Sequence, residues 1–272
     1  MDTPAGNARH RWADDLDLLQ RAASAAGERA MAFFGNGPDV WWKNEGRSPV
    51  SAADIAANDL LKSMLLTARP NYGWLSEETD DDPARLSCET LFVIDPIDGT
   101  RAFIAGKDLW CVSAAVVHRG RPVAGVLFAP ALGEVFASVE GGPALKNGQP
   151  VRASELDGAH PLRLAAAEDM VARLDRAALG PVERIPHVPS LAYRLAMVAD
   201  GRIDGTLVKR NAQDWDLAAA DLILANAGGG LADLDGKPLT YNRPDVRHDV
   251  LCAAGSSVLG RLISAAGGLH GH

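Results

Sequence analysis

The stretch Leu91-Phe92-Val93-Ile94-Asp95-Pro96-Ile97-Asp98-Gly99-Thr100 decides how this chain is read. An apolar run stops at an acid, so the strand is buried and its end is not. Carboxylates at a strand's end cost little stability only where water or a cation meets them. Pro96 and Gly99 bend the backbone so that Asp95, the Ile97 carbonyl and Asp98 can converge. Hard oxygen donors in this number suit Mg²⁺. Upstream lies Trp74-Leu75-Ser76-Glu77-Glu78, and far downstream Asp214-Trp215-Asp216-Leu217-Ala218-Ala219. Together the three segments supply carboxylates for a site of two or three metal ions.

At 272 residues the chain fits one large domain or two tightly joined lobes, and 47% hydrophobic residues allow a sizeable core. A formal net charge of −8 argues against nucleic-acid or anionic-membrane binding. Cys88, Cys111 and Cys252 show no CxxC spacing, which suggests neither a disulfide framework nor a zinc site. They read as small side chains in a reducing compartment. The N-terminus lacks a signal-peptide core, and no apolar stretch reaches the roughly 18 residues of a membrane span. A soluble cytoplasmic protein is expected.

Apolar residues over 12–34 keep helical spacing, with residues 1–10 frayed before them. A second helix is predicted over 51–67, and a short strand, 72–76, feeds Glu77. Further strands fall at 91–95, 111–117, 123–129 and 134–139, followed by a hairpin signal at Lys146-Asn147-Gly148-Gln149. The pattern then becomes strand–helix alternation. Strands are predicted at 162–166, 184–188, 203–208, 231–233 and 249–254, and helices at 168–179, 190–200, from Asp214, and at 257–266. A lobe boundary is placed near 155. It gives an N-terminal α+β lobe (1–155) with the metal motifs and a C-terminal α/β lobe (156–272) that completes the site.

Each candidate residue has an ordinary reading beside the chemical one. Asp95 and Asp98 could form a polar turn, with Asp98 capping the next helix. Pro96, Gly99 and Thr100 make the string more specific, because together they wrap backbone around a cation. The N–H groups of Gly99 and Thr100 then form a receptor for an anion such as phosphate. Glu77 and Glu78 begin an acidic run that continues to Asp82, and such runs are usually exposed loop. Glu77 differs because the strand before it aims it inward, while its neighbour points the other way. Asp216 reads as a helix N-cap or as a ligand beside small, close-packing residues. Asp54 reads as a capping-box partner of Ser51. Lys43 could be an ordinary surface lysine, yet residues 43–49, with Glu45, Gly46 and Arg47, have the composition of a mobile flap. His118, His160, His187 and His248 lack metal-ligand spacing and read as surface or satisfied core residues. No GxSxG elbow, GxGxxG or P-loop is present.

The three acidic segments, preceded by Lys43 and Ser48-Pro49-Val50-Ser51 with Asp54, resemble the motifs of the inositol monophosphatase superfamily. Its members are magnesium-dependent, lithium-sensitive phosphomonoesterases. The resemblance runs from Trp12 to the final helix and implies a layered αβαβα sandwich, of α+β or α/β class. It implies that Glu77, Asp95 and the Ile97 carbonyl bind one Mg²⁺, and that Asp95, Asp98 and Asp216 bind a second. Glu77 would also face a third, weaker ion. Water oriented by Glu77 and Thr100 would attack phosphorus in line, with Asp54 supporting Thr100 or that water.

The superfamily includes inositol phosphatases, 3′(2′),5′-bisphosphate nucleotidases, histidinol phosphatases and sugar bisphosphatases. Its inositol phosphatases carry an acid seven positions before the last metal aspartate, where this chain has Lys209, followed by Arg210. A cation there attracts a second phosphate. Arg194, in Ser190-Leu191-Ala192-Tyr193-Arg194, is similar to a basic position of the bisphosphate nucleotidases. Arg101-Ala102-Phe103-Ile104-Ala105-Gly106-Lys107 is close to histidinol phosphatases. The expected substrate is a phosphate monoester, a bisphosphate nucleotide such as adenosine 3′,5′-bisphosphate, with inositol 1-phosphate or histidinol phosphate as alternatives. A homodimer is the expected assembly. Some superfamily members act as interaction proteins, so a regulatory role is the non-enzymatic alternative. The presence of Glu77, Asp95, Asp98, Thr100 and Asp216 argues against it.

Overall fold

Strands buried on both faces need a helical layer on each side, and that requirement organises this chain. A computed structural model describes residues 4–36, 39–43, 48–155 and 160–269. The chain opens with α1 (Pro4–Met31), the hairpin β1 (Val40–Lys43) and β2 (Ser48–Ser51), and α2 (Ala52–Ala68). Next come β3 (Gly73–Ser76), β4 (Thr90–Asp98), α3 (Thr100–Ile104), β5 (Cys111–His118), β6 (Arg121–Ala129), β7 (Glu134–Val139), β8 (Leu145–Lys146) and β9 (Gln149–Pro150). The second half holds β10 (Leu162–Ala165), α4 (Glu168–Val171), α5 (Arg176–Leu179), β11 (Val182–Arg184), α6 (Leu191–Ala199), β12 (Gly205–Val208) and β13 (Ala212–Gln213). It closes with α7 (Asp214–Asn226), β14 (Gly229–Asp233), β15 (Arg247–His248), β16 (Leu251–Gly255) and α8 (Ser256–Ala265). No described helix is long and apolar enough to cross a membrane.

A seven-stranded sheet runs β3-β4-β5-β6-β7-β8-β9, antiparallel except for the β3–β4 pair. A five-stranded mixed sheet runs β11-β10-β12-β16-β14. Along β4, Leu91 and Val93 face one core while Phe92 and Ile94 face another. Helices α1 and α2 cover the Phe92 face, and α6 and α7 cover the Leu91 face. Strand β16 repeats the alternation: Leu251 and Ala253 meet α6 and α7, whereas Cys252 and Ala254 meet α4, α5 and α8. The layers therefore read helix, sheet, helix, sheet, helix, the αβαβα sandwich expected from sequence.

Local expectations are corrected in several places. Helix α1 starts at Pro4, so residues 4–10 of the segment read as frayed are helical. The helix predicted over 168–179 is two short ones, because Asp175 leaves helical geometry and caps the second through the Ala177 N–H. The strand predicted at 184–188 is β11, displaced toward the N-terminus. Residues on either side of the expected flap pair as a hairpin, with Trp42 opposite Pro49. Lys43 ends β1, and Glu45, Gly46 and Arg47 lie outside the described residues.

Helix α7 packs across β4, β5 and β6. A Cβ on Gly125 of β6 would lie 3.0 Å from the Cα and carbonyl oxygen of Ala219, so only glycine opposite alanine permits this approach. The contact fixes the depth at which α7 delivers its first turn. Gly125→Val should destabilise the protein by about 1–3 kcal/mol through overpacking, read as a lower urea midpoint. An unchanged midpoint would show that this approach is not close.

Candidate metal centre

Asp95 and Asp98, three residues apart, would point to opposite faces of a regular strand. In β4 they do not. Asp95 stands opposite Ser113 and Asp98 opposite Cys111, so an extra residue is absorbed between them. Pro96 occupies that irregularity, where its missing N–H breaks no ladder bond. Both carboxylates are thereby brought together with Asp216, and one oxygen from each lies within 4.8 Å of the others. Asp95 is 2% exposed and Asp98 6%. The Ile97 N–H donates to Asp95 Oδ1 at 3.0 Å. Gly99, with φ at +98°, caps α3, a role sequence had offered to Asp98. Asp98 Oδ2 instead accepts from Ser190 Oγ and the Ala192 N–H, both at 2.6 Å, which ties β4 to the start of α6.

Asp216 is the third residue of α7 and not its N-cap. Gln213 is the cap, and its N–H donates to Asp216 Oδ2 at 2.7 Å. Ser113 Oγ donates to the Trp215 carbonyl at 3.0 Å, so β5 anchors this turn. Glu77 follows β3, and its N–H donates to the Ile94 carbonyl of the parallel neighbour β4. Glu77 lines the same pocket of 400 Å³ as Asp95, Ile97, Asp98, Gly99, Thr100 and Asp216. The tight cluster is made by the three aspartates, with Glu77 in the pocket wall. Thr100 Oγ1 lies 3.2 Å from Asp54 Oδ1 and 3.1 Å from the Ile97 carbonyl oxygen. Asp54 Oδ2 accepts from the Ser51 N–H at 2.8 Å and the Ser51 hydroxyl at 2.6 Å, the capping box expected at the start of α2.

Burial raises the carboxyl pKa values here, and repulsion adds to it at Glu77, Asp95 and Asp216. Burial, then Asp216 and Glu78, pushes Glu77 up to about 8. Burial and Asp98 push Asp216 up to about 7. Asp95 is driven well above the carboxylate range by burial and by Glu77 and Asp98. Asp98 is raised by burial, with the Ser190 and Ala192 bonds and the Arg194 charge opposing. A divalent cation would neutralise this crowd, and the donor set of carboxylate and carbonyl oxygens suits a hard one. The residues fit such an ion.

Lys209 and Arg210 do not line this pocket. Lys209 pairs with Asp169 at 3.0 Å and Arg210 with Asp249 at 2.8 Å, all four exposed. With Arg194 they line a neighbouring pocket of 270 Å³, which meets the first at His187. The Arg194 guanidinium is largely buried, which lowers its pKa, and its Nε has no hydrogen-bond partner. His187, read as an ordinary histidine, is exposed in the wall common to both pockets, and burial with the Arg194 and Lys209 charges lowers its pKa. Sequence reasoning had also passed over Ser190 as the hydroxyl behind Asp98, and Lys107 on the pocket wall. By contrast His248 is the satisfied core residue expected, its Nε2 2.7 Å from Asp214.

The raised carboxyls set the sign of a pH dependence. The folded protein holds these protons more tightly than the unfolded chain, so stability falls as pH climbs from the unfolded to the folded value. In chelator, melting temperature should fall between pH 4.5 and about 8 for Glu77, with Asp216 adding to the lower part of that window. Saturating divalent cation should flatten the slope. A flat profile in chelator would contradict the buried carboxylate cluster.

Known proteins match this architecture. The model of the inositol monophosphatase family matches residues 13–268. The inositol-1-monophosphatase of Mesorhizobium japonicum is 32% identical over 231 residues, 81% of this chain and 86% of that protein. The 3′(2′),5′-bisphosphate nucleotidase CysQ of Aggregatibacter actinomycetemcomitans is 31% identical over 242 residues, 86% of this chain and 88% of that protein. The solved structure of the extragenic suppressor protein suhB from Bartonella henselae superposes with a TM-score of 0.82 at 27% identity, over 93% of this chain and 98% of that one. A match over nearly the whole length places the chain in the inositol monophosphatase family, as a metal-dependent hydrolase of phosphate monoesters.

Proposed function

We propose that this enzyme uses Mg²⁺ and that its substrate carries a second phosphate, as in a 3′(2′),5′-bisphosphate nucleotide such as adenosine 3′,5′-bisphosphate. One observation carries the substrate reading: the buried Arg194 guanidinium, with its partnerless Nε, in a pocket that adjoins the carboxylates. A buried donor left without an acceptor costs about 1–3 kcal/mol. A phosphate oxygen would remove that penalty and form a charge-assisted bond. Relatives named for inositol 1-phosphate and for bisphosphate nucleotides match to the same degree, so specificity rests on this pocket.

Asp95, Asp98 and Asp216, with Glu77 and the Ile97 carbonyl, would hold the metal. Once bound, Mg²⁺ supplies Lewis-acid charge to the phosphate and lowers the pKa of water. The side chains do the rest. Glu77, in the pocket wall, accepts the proton of the attacking water. Thr100, braced by Asp54, orients that water. The N–H groups of Gly99 and Thr100 receive phosphate oxygens. Arg194 holds the second phosphate, and Lys209 and Arg210 release weak surface pairs to add charge at the pocket mouth. Lithium is proposed to inhibit by replacing one Mg²⁺.

Activity should vanish in chelator, return with Mg²⁺, and be largely lost in Asp95→Asn. Adenosine 3′,5′-bisphosphate should show a higher kcat/KM than inositol 1-phosphate. Arg194→Ala should cut that ratio about tenfold to hundredfold, the loss of one charge-assisted contact, and Arg194→Lys should restore part of it. A wild-type preference for inositol 1-phosphate, or a ratio unchanged in Arg194→Ala, would overturn the substrate reading and leave the phosphatase assignment standing.

A further inference from the structure

A larger cleft, of 560 Å³, lies away from the carboxylates and touches the Arg194 pocket at Arg210. Its wall carries Arg210, Lys237, Arg243, Arg247 and His248, together with Asp233, Asp235 and Asp249. Three of these cations are held by exposed carboxylates: Arg210 by Asp249, Lys237 by Asp235, and Arg247 by Asp245. Such pairs are weak and exchange readily. Arg243 is different. Among the described residues no carboxylate forms an ion pair with it, although its charge, after that of Arg247, helps hold the Asp245 carboxyl below its usual range; one Nη donates to the Arg247 carbonyl at 2.8 Å and lies 3.5 Å from His248 Nδ1. Its Nε is buried with no hydrogen-bond partner.

The backbone at Arg243 is fixed. Arg85, itself 3% exposed and bidentate on Asp81, donates from both Nη atoms to the Arg243 carbonyl at 3.1 Å. It also donates to Asn242 Oδ1 at 2.7 Å, while the Asn242 N–H donates to Asp214 at 2.9 Å. A guanidinium held on a rigid support with an unsatisfied buried donor is matched by an oxyanion, and its planar fork fits phosphate with two bonds. Asp95, Asp98, Asp216 and Glu77 are all absent from this cleft, so it is distinct from the metal centre.

We propose that the cleft is a second phosphate-group site anchored by Arg243, with Arg247 and Lys237 turning from their surface carboxylates toward the ligand. The ligand is either inorganic phosphate, the product of the reaction, or the phosphate end of an organic phosphate. The site stands close to catalysis: Arg243 abuts His248, and His248 bonds Asp214, the first residue of the helix that carries Asp216.

The Arg243 Nε–H resonance, assigned by its disappearance in Arg243→Lys, reports the site directly. In the Mg²⁺-loaded enzyme it should shift saturably with inorganic phosphate and stay still with chloride at equal ionic strength. Calorimetry should count one more phosphate than the metal pocket binds, and Arg243→Lys should weaken that site about tenfold. Asp95→Asn, which disables the metal pocket, should leave it intact. Tighter binding of adenosine 5′-monophosphate than of phosphate identifies an organic ligand, and weaker binding identifies free phosphate. A resonance unmoved at phosphate concentrations far above those that fill the metal pocket overturns the proposal. So does a phosphate count that is the same in Arg243→Lys and wild type.

Discussion

Repulsion among buried carboxylates is the constraint to which the rest of this structure answers. Asp95, Asp98, Asp216 and Glu77 come from three separate parts of the chain and share one pocket. Burial raises the pKa of each, and neighbouring charges raise Glu77, Asp95 and Asp216 further. Nothing local would bring Glu77 and Asp216 to Asp95 and Asp98, so the fold must impose their positions. The irregularity at Pro96 turns Asp98 to the side of Asp95, and the Ser190 hydroxyl and Ala192 N–H grip it from α6. The Gln213 N–H orients Asp216, and the Gly125–Ala219 approach sets the depth of α7. Each support is neutral and short, which positions a carboxylate without cancelling its charge. That charge remains for a metal.

The same layering explains why the site sits where it does. The acids of β3 and β4 lie at the ends of strands in the larger sheet, while Asp216 and Ser190 sit at the starts of helices sandwiched between the sheets. A pocket at this junction has polar backbone groups on one side and a dry core behind it. Arg194 belongs to α6 as well, so the residue proposed to hold a second phosphate shares a rigid helix with the group that holds Asp98. The distance between the two subsites is thereby built into a single element.

Much of this was legible in the chain because the chemistry is local. Asp95, Asp98, Gly99 and Thr100 fall within six consecutive positions, and an apolar strand running into a Pro- and Gly-bearing turn has few other uses. The unbroken apolar run of β4 announced a buried strand. The cations were not legible in the same way. Lys209 drew attention by position, yet its side chain is settled by Asp169, which lies forty residues earlier in sequence and beside it in space. Arg194 drew notice through the family resemblance, but its burial and missing partner are seen only in the structure. Asp216 looked like a cap because caps and ligands share residue types, and only the chain path shows that Gln213 takes that place. The break between α4 and α5 escaped notice although Asp175 is a residue type preferred at helix starts, where the structure places it.

If crowded carboxylates are what the fold must restrain, removing one charge while keeping its shape should stabilise the metal-free protein. Asp95→Asn keeps the acceptor for the Ile97 N–H and removes one charge from the cluster. The direct measurement is thermal unfolding of wild type and Asp95→Asn at mildly alkaline pH, each in chelator and in saturating Mg²⁺. The account predicts that Asp95→Asn melts above wild type in chelator, and that Mg²⁺ raises wild type well above its chelated state while barely moving the variant. An Asp95→Asn protein that melts below wild type in chelator, or that gains as much from Mg²⁺, would contradict it.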